Sequence, residues 1–196
     1  MTSQPEQILI LIKHSLPEMR PELTASLWSL SDEGRQRCQR LAERLAPFNL
    51  DSLVSSEEPK AIETGRIIAE LLGLPFATAP NLHEHLRLDV PFLGDRRLFQ
   101  AQVAKVFEKP AELVFGSETG DEAGRRYSKA LGGVLASHPE GNLGVVSHGT
   151  VMALYVSRAC GLDATRFWIR LGLPSYVVLA DGGTRLVKVV EEVSGP

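Results

Sequence analysis

The sequence predicts an α/β domain: a three-layer sandwich with a mostly parallel central sheet flanked by helices and a C-terminal hairpin. Three observations predict it. Ile8–Ile12 and Leu143–Ser147 are apolar runs without alternation, the pattern of strands buried on both faces. Stretches of helical periodicity separate the strand-like runs. Finally, Tyr176–Ala180 and Arg185–Val190 flank Asp181-Gly182-Gly183, a hairpin turn sequence. At 196 residues the chain suits one domain over 1–196, long enough to bury a core without disulfide or metal staples.

The elements follow in order. After the first strand, Lys13-His14-Ser15 opens a loop containing Pro17, Pro21 and Trp28. Ser31 is placed to cap a helix whose first turn carries Asp32 and Glu33; Cys38, Leu41 and Leu45 share its apolar face, and Pro47 stops it. Leu50–Ser55 reads as a strand. Pro59 starts a second helix with an expected apolar face of Ile62, Ile67, Ile68, Leu71 and Leu72, capped by Gly73. A short strand is expected at Phe76–Thr78, and helices at Asp95–Glu108, Glu118–Ser137 and Thr150–Ala159, the last closing at Gly161.

Composition narrows the classes. With 21 Lys plus Arg against 24 Asp plus Glu, the net charge of −3 gives no gross attraction to nucleic acid or an anionic membrane. No apolar run is long enough to span a bilayer, and the first residues lack the basic and apolar regions of a signal peptide. Cys38 and Cys160 allow one bridge at most, so no disulfide framework exists. The expectation is a cytoplasmic protein without nucleic-acid or membrane partners; the oligomeric state is left open.

Chemistry is expected where three strands end in polar residues: Lys13-His14-Ser15, Ser55-Ser56 and Ser147-His148-Gly149. Right-handed crossovers deliver such ends to one sheet edge, where ligand crevices of open α/β sheets lie. Either histidine alone reads as a hydrogen-bonded structural residue; two at equivalent strand ends point to a site. Lys60 falls in a first helical turn, where the dipole disfavours a cation, and a bound anion would resolve the conflict. The plainer reading has Lys60 in solvent or paired with Glu57 or Glu63. Other chemistries fail on order or spacing. Val145–Gly149 resembles a nucleophile elbow but has no first glycine, and no histidine follows His148. Phosphate-loop and dinucleotide fingerprints are missing, and His83-Glu84-His85 lacks the metalloprotease spacing, so no metal is expected.

Five segments in order resemble the histidine phosphatase superfamily, also called phosphoglycerate-mutase-like. Leu11–Ser15 resembles its Arg-His-Gly strand end, and Leu30–Gly34 its Leu-Thr-x-x-Gly helix start. Ser55–Thr64 is similar to Ser-Ser-x-x-x-Arg-Ala-x-x-Thr. Leu82-His83-Glu84 resembles the segment supplying an acidic residue, and Val145–Gly149 the second histidine motif. The resemblance implies a phosphomonoester hydrolase that acts on a small phosphorylated substrate and needs no cofactor. His14 would be the nucleophile forming a phosphohistidine, and His148 the second phosphate-facing histidine. Glu84 would be the proton donor to the leaving oxygen, with a pKa raised by burial. Lys13, Lys60 and Ser15 would bind the phosphoryl group.

The departures are Lys13 and Lys60 at both family arginine positions, and Ser15 in place of glycine. Lysine keeps the charge and loses the planar fork. Arg20, Arg87, Arg96 or Arg97 could compensate, Ser15 could offer its hydroxyl, and Glu57 and Glu58 would oppose an anion unless they point outward. Lys13→Arg is expected to raise activity if the pocket has room. Trp28 could stack on substrate, although packing on the core is the commoner role for such a residue. Weakened hydrolysis is one reading. The alternative is a non-catalytic phospho-ligand binding or regulatory protein that retains the pocket.

Overall fold

The first apolar run forms β1 (Leu9–Lys13), and its alternating side chains divide the interior of the molecule in two. The structure, a computed structural model, describes residues 7–88 and 90–193. Leu9 and Leu11 pack with residues of α4 (Gly120–Ser137), α5 (Gly149–Cys160) and α6 (Ala164–Arg170). Ile10 and Ile12 pack with α1 (Asp32–Leu45) and α2 (Pro59–Leu72). A strand covered on both faces explains why the run is apolar throughout, and it makes the three layers: helices, sheet, helices.

The sheet has six strands in the order β3-β2-β4-β1-β5-β6, with β2 at Leu50–Ser55, β3 at Phe76–Thr78 and β4 at Asn142–Ser147. These three and β1 run parallel. β5 (Ser175–Ala180) is antiparallel to β1, and β6 (Arg185–Val190) returns antiparallel to β5 as the expected hairpin. Its turn places Asp181, Gly182 and Gly183 at positive φ, which the two glycines adopt without strain. α3 (Arg96–Glu108) starts from Asp95, whose carboxylate caps Arg97 and Leu98 N–H. α4 starts with a full capping box between Thr119 and Glu122.

Two expectations are corrected. α2 buries Ala61, Thr64, Gly65, Ile68 and Ala69, whereas Leu71 is 54% exposed and Ile62, Ile67 and Leu72 are half-buried. The stripe spaced 61, 64, 65, 68 faces inward because its small side chains let the helix come close to the sheet. A Cβ on Gly65 would stand 2.4 Å from the Phe76 ring. Bulk alone misassigned the face. The second is α6, a helix the sequence reading did not expect; it is seven residues long and capped by Asp163.

Candidate active site

The register of the sheet builds the site. Lys13 pairs with Ser147 at the last rung of the β1–β4 ladder, and His14 N–H adds one more bond to Ser147 O at 3.0 Å. The residues that follow, His14 and His148, leave the sheet side by side with ring centroids 5.2 Å apart, about the spacing of neighbouring strands. β2 ends beside them, and Ser56 N–H donates to Val146 O at 2.9 Å. The three polar strand ends therefore do converge.

Hydrogen bonds settle the state of His14. Its Nδ1 lies 2.8 Å from Ser15 O, a carbonyl that can only accept, so Nδ1 carries the ring proton and Nε2 keeps its lone pair. Burial, then the neighbouring His148 and Lys60, pushes the imidazole well below the ordinary histidine pKa, so it is neutral. Burial and Lys60 do the same to His148. His148 Nε2 is 2.9 Å from Ser56 Oγ, and its Nδ1 is buried without a partner.

Glu84 arrives on the segment after β3, where Ser147 Oγ donates to Leu82 O at 2.9 Å. Its carboxylate accepts from His85 N–H at 2.8 Å, Thr150 N–H at 3.1 Å and Val151 N–H at 3.3 Å, so it sits on the positive end of α5. Burial alone would raise its pKa. The Arg87 charge and these N–H groups outweigh it and hold the carboxyl well below the usual carboxylate range. The expectation of a raised pKa is thus overturned.

Both lysines face inward and both are engaged. Lys13 Nζ donates to Leu171 O at 2.7 Å, and burial lowers its pKa to about 8. Lys60 Nζ donates to Ala25 O at 2.6 Å and forms a buried ion pair with Glu58. The expected partners of Lys60 are elsewhere: Glu57 is exposed and Glu63 pairs with Arg35. Glu58 points into the site. One carboxylate oxygen accepts Glu84 N–H at 2.9 Å and lies 3.6 Å from His148 Nε2. Ser15 turns away, which corrects its expected contact with a phosphoryl group. Its hydroxyl donates to Gly34 O at 2.7 Å and its N–H to Thr64 Oγ1 at 3.0 Å, so both donors tie the loop to α1 and α2.

Of the arginines considered as compensators, Arg87 reaches the site. Its guanidinium carbon lies 5.1 Å and 5.4 Å from the Phe99 and Phe115 ring centroids, and Nη2 donates to Thr150 Oγ1 at 2.8 Å. Its Nε is buried without a partner. Arg96 is exposed yet close enough to lower the Lys13 pKa, Arg97 is exposed, and Arg20 pairs with Glu22 outside. Trp28 is structural in part: its indole N–H donates to Arg20 O at 2.9 Å and its ring meets Phe92 edge-on. His85 is buried with Nε2 2.8 Å from Glu118 O, and His83 Nδ1 lies 3.0 Å from Glu84 O.

Sequence reasoning missed Arg126 and Glu118. From α4, Arg126 donates to the carbonyls of Asn81, His83 and Glu84 and pairs with Glu118, whose carboxylate also accepts Leu86 N–H. Together they hold the segment that carries Glu84. A capping-box threonine followed by an arginine about two helical turns on was the available signal, and it says nothing by itself about the loop it would reach.

The sheet edge thus gathers paired strand-end imidazoles with buried cations and carboxylates beside them. A family model described as "Histidine phosphatase superfamily (branch 1)" matches residues 10–191, and the chain belongs to this superfamily. It is 32% identical over 143 residues to phosphoglycerate mutase-like protein 4 of Arabidopsis thaliana, covering 66% of this chain and 60% of that protein. The chain spans less than two thirds of the curated relatives it matches, 60% of this one and 65% of a second. Among solved structures, Bacillus stearothermophilus YhfR superposes with a TM-score of 0.73 at 21% identity, covering 96% of this chain and 98% of that one. The alpha-ribazole phosphatase from Shigella flexneri superposes with a TM-score of 0.70 at 20% identity over the same shares.

Proposed function

We propose that the protein is a metal-independent phosphomonoester hydrolase of the cytoplasm that works through a phosphohistidine on His14. One observation carries the reading: a neutral His14, its Nε2 lone pair free, stands 5.2 Å from a second buried imidazole at the end of the central ladder. Nε2 attacks phosphorus, and water later attacks the phosphoryl-imidazole, so one hard displacement becomes two easier ones. Lys13, Lys60, His148 and Arg87 surround the phosphoryl group with donors, and Glu84 takes the proton of the attacking water. Membership of the superfamily supports this reading, as does the fold shared with a phosphatase.

The reaction is slow for its class. Two lysines replace planar guanidinium forks and each is already committed to a protein acceptor, a penalty of roughly one to three decades in rate. Turnover of p-nitrophenyl phosphate is expected to fall by about a thousandfold or more in His14→Ala, with an acid-labile phosphoenzyme trapped only in the wild type. Equal rates in the two proteins would sink the reading. The twin lysines at positions 13 and 60 favour one competing reading, a phospho-ligand binding protein without turnover. In that case phosphate raises Tm while no ester is hydrolysed.

A further inference from the structure

The ion pair between Glu58 and Lys60 lies inside the candidate site, and the proposed hydrolysis uses only the lysine. Lys60 Nζ donates to Ala25 O at 2.6 Å and to Glu58, so one of its three N–H groups is left for a phosphoryl oxygen. Glu58 is less well supplied. One of its oxygens faces Lys60. The other accepts Glu84 N–H at 2.9 Å and lies 3.6 Å from Nε2 of His148, an imidazole kept neutral by burial and Lys60. Among the described residues, Lys60 is the cation that pairs with it. A phosphoryl group bound at the paired imidazoles puts a second anion on the same ammonium. Two negative groups then share one positive charge in surroundings nearly closed to water, and the carboxylate is left only partly neutralised. That arrangement costs affinity unless the ligand brings a cation of its own to Glu58. The surroundings suit one. Glu58 stands beside His148, whose ring is 5.2 Å from that of His14, so its carboxylate is one imidazole away from the phosphoryl position. Trp28, whose carbonyl accepts Lys60 N–H at 3.1 Å, forms an edge-on pair with Phe92 at the same end of α2, and aromatic faces also attract cations.

We propose that the phosphorylated ligand of this site carries an ammonium group, two carbons from the ester oxygen as in an aminoethyl ester, and that Glu58 is the residue that selects it. The proposal rests on the phosphoryl-site reading above and names the ligand class. On binding, the phosphoryl oxygens take the ammonium of Lys60, and the ligand's ammonium takes the carboxylate of Glu58. One internal ion pair is exchanged for two made with the ligand, and no covalent bond changes in this step. A neutral ester of the same size leaves Glu58 facing the phosphoryl charge and is disfavoured, so the carboxylate selects by repulsion as well as by attraction.

The test uses 2-aminoethyl, 2-hydroxyethyl and propyl phosphate, which have nearly the same shape and differ in one terminal group. Calorimetry on His14→Ala, which binds without turnover, is expected to show the aminoethyl ester held about tenfold or more tighter than the other two. Steady-state kinetics supply a second readout. Glu58→Gln is expected to lower kcat/KM about tenfold for the aminoethyl ester and to raise it for the propyl ester, opposite shifts that a merely structural role of Glu58 would not produce. Equal affinities for the three esters overturn the proposal, as do shifts of one sign for all three in Glu58→Gln. Tightest binding of the hydroxyethyl ester overturns it too, since the carboxylate would then serve a hydroxyl. Should Glu58→Gln fail to fold, the calorimetric order decides alone. A separate outcome, preference for the aminoethyl ester with no His14-dependent turnover of any member, retires the hydrolase reading and leaves the ligand class standing.

Discussion

Glu58 stands one residue before α2, where a side chain would ordinarily cap the helix, yet it makes no capping bond and turns inward to Lys60. Its side chain is 9% exposed and that of Lys60 is 6%, so the pair attracts strongly and an incoming anion must compete with a carboxylate already in place. Removing the negative charge while keeping an acceptor for Glu84 N–H should free the ammonium. Glu58→Gln is therefore expected to tighten inorganic phosphate binding about tenfold, read by calorimetry or by competitive inhibition; unchanged or weaker binding would show that the carboxylate does not compete. Lys13 leads to a pH prediction. Burial lowers its pKa from 10.5 to about 8. Between these values the unfolded chain binds the proton and the folded chain does not, so stability rises with pH across that window. Below about pH 8 both states are protonated and the cost of burying the charge is felt in full. Relative to a Lys13→Met variant, the wild type should gain up to about 3 kcal/mol between pH 8 and 10.5, measured by urea unfolding. A parallel pH dependence in the two proteins would mean that the ammonium is not desolvated. Gly149 lets Lys13 pack close, since a Cβ there would stand 3.1 Å from Lys13 Cε. Lys13→Arg is expected to raise the rate if the guanidinium fits, and a loss of folding or activity in that variant would show that the site is built around lysine.

Elements position these side chains through contacts that tolerate little change. The start of α1 lies so close to the loop after His14 that a Cβ on Gly34 would fall 2.0 Å from Leu16 O. The obstacle is backbone, with no rotamer to give way. Ser31 reinforces the junction by accepting Gly34 N–H and donating to Leu16 O, and Ser15 donates to Gly34 O. Gly34→Ala is expected to cost about 2–4 kcal/mol of unfolding free energy and to lower kcat by displacing His14. Alanine at the adjacent exposed Glu33 should be near neutral by the same chemical-denaturation measurement. α2 follows a similar rule with small residues against the sheet, which is why its exposed leucine was mistaken for core.

Across the whole molecule, the parts readable in advance were those where one physical pattern decides the outcome. β1 and β4 are apolar because both faces are covered, and their polar ends follow at once, so the convergence of His14 and His148 was legible. Gly73 and Gly161 ended α2 and α5 as expected, each at positive φ. The orientation of single side chains was not legible. Glu58 and Ser15 sit beside the candidate site residues, and whether each turns in or out depends on partners elsewhere: Gly34 O and Thr64 Oγ1 accept from Ser15, and Lys60 Nζ and Glu84 N–H donate to Glu58. Arg87 could be named only as one of four arginines; two phenylalanine rings and Thr150 select it, and none of them is near it in sequence.

The ladder between β1 and β4 has a further consequence. The His14 and His148 rings follow directly on the innermost pair of a six-stranded sheet, so their separation is as rigid as the sheet itself. The groups that would greet a bound molecule arrive on separate pieces: Lys60 and Glu58 at the head of α2, Arg87 on the stretch after Glu84, Phe99 on α3 and Trp168 on α6. Grafting or exchanging those pieces between related chains should alter what is admitted and leave the reactive core in working order.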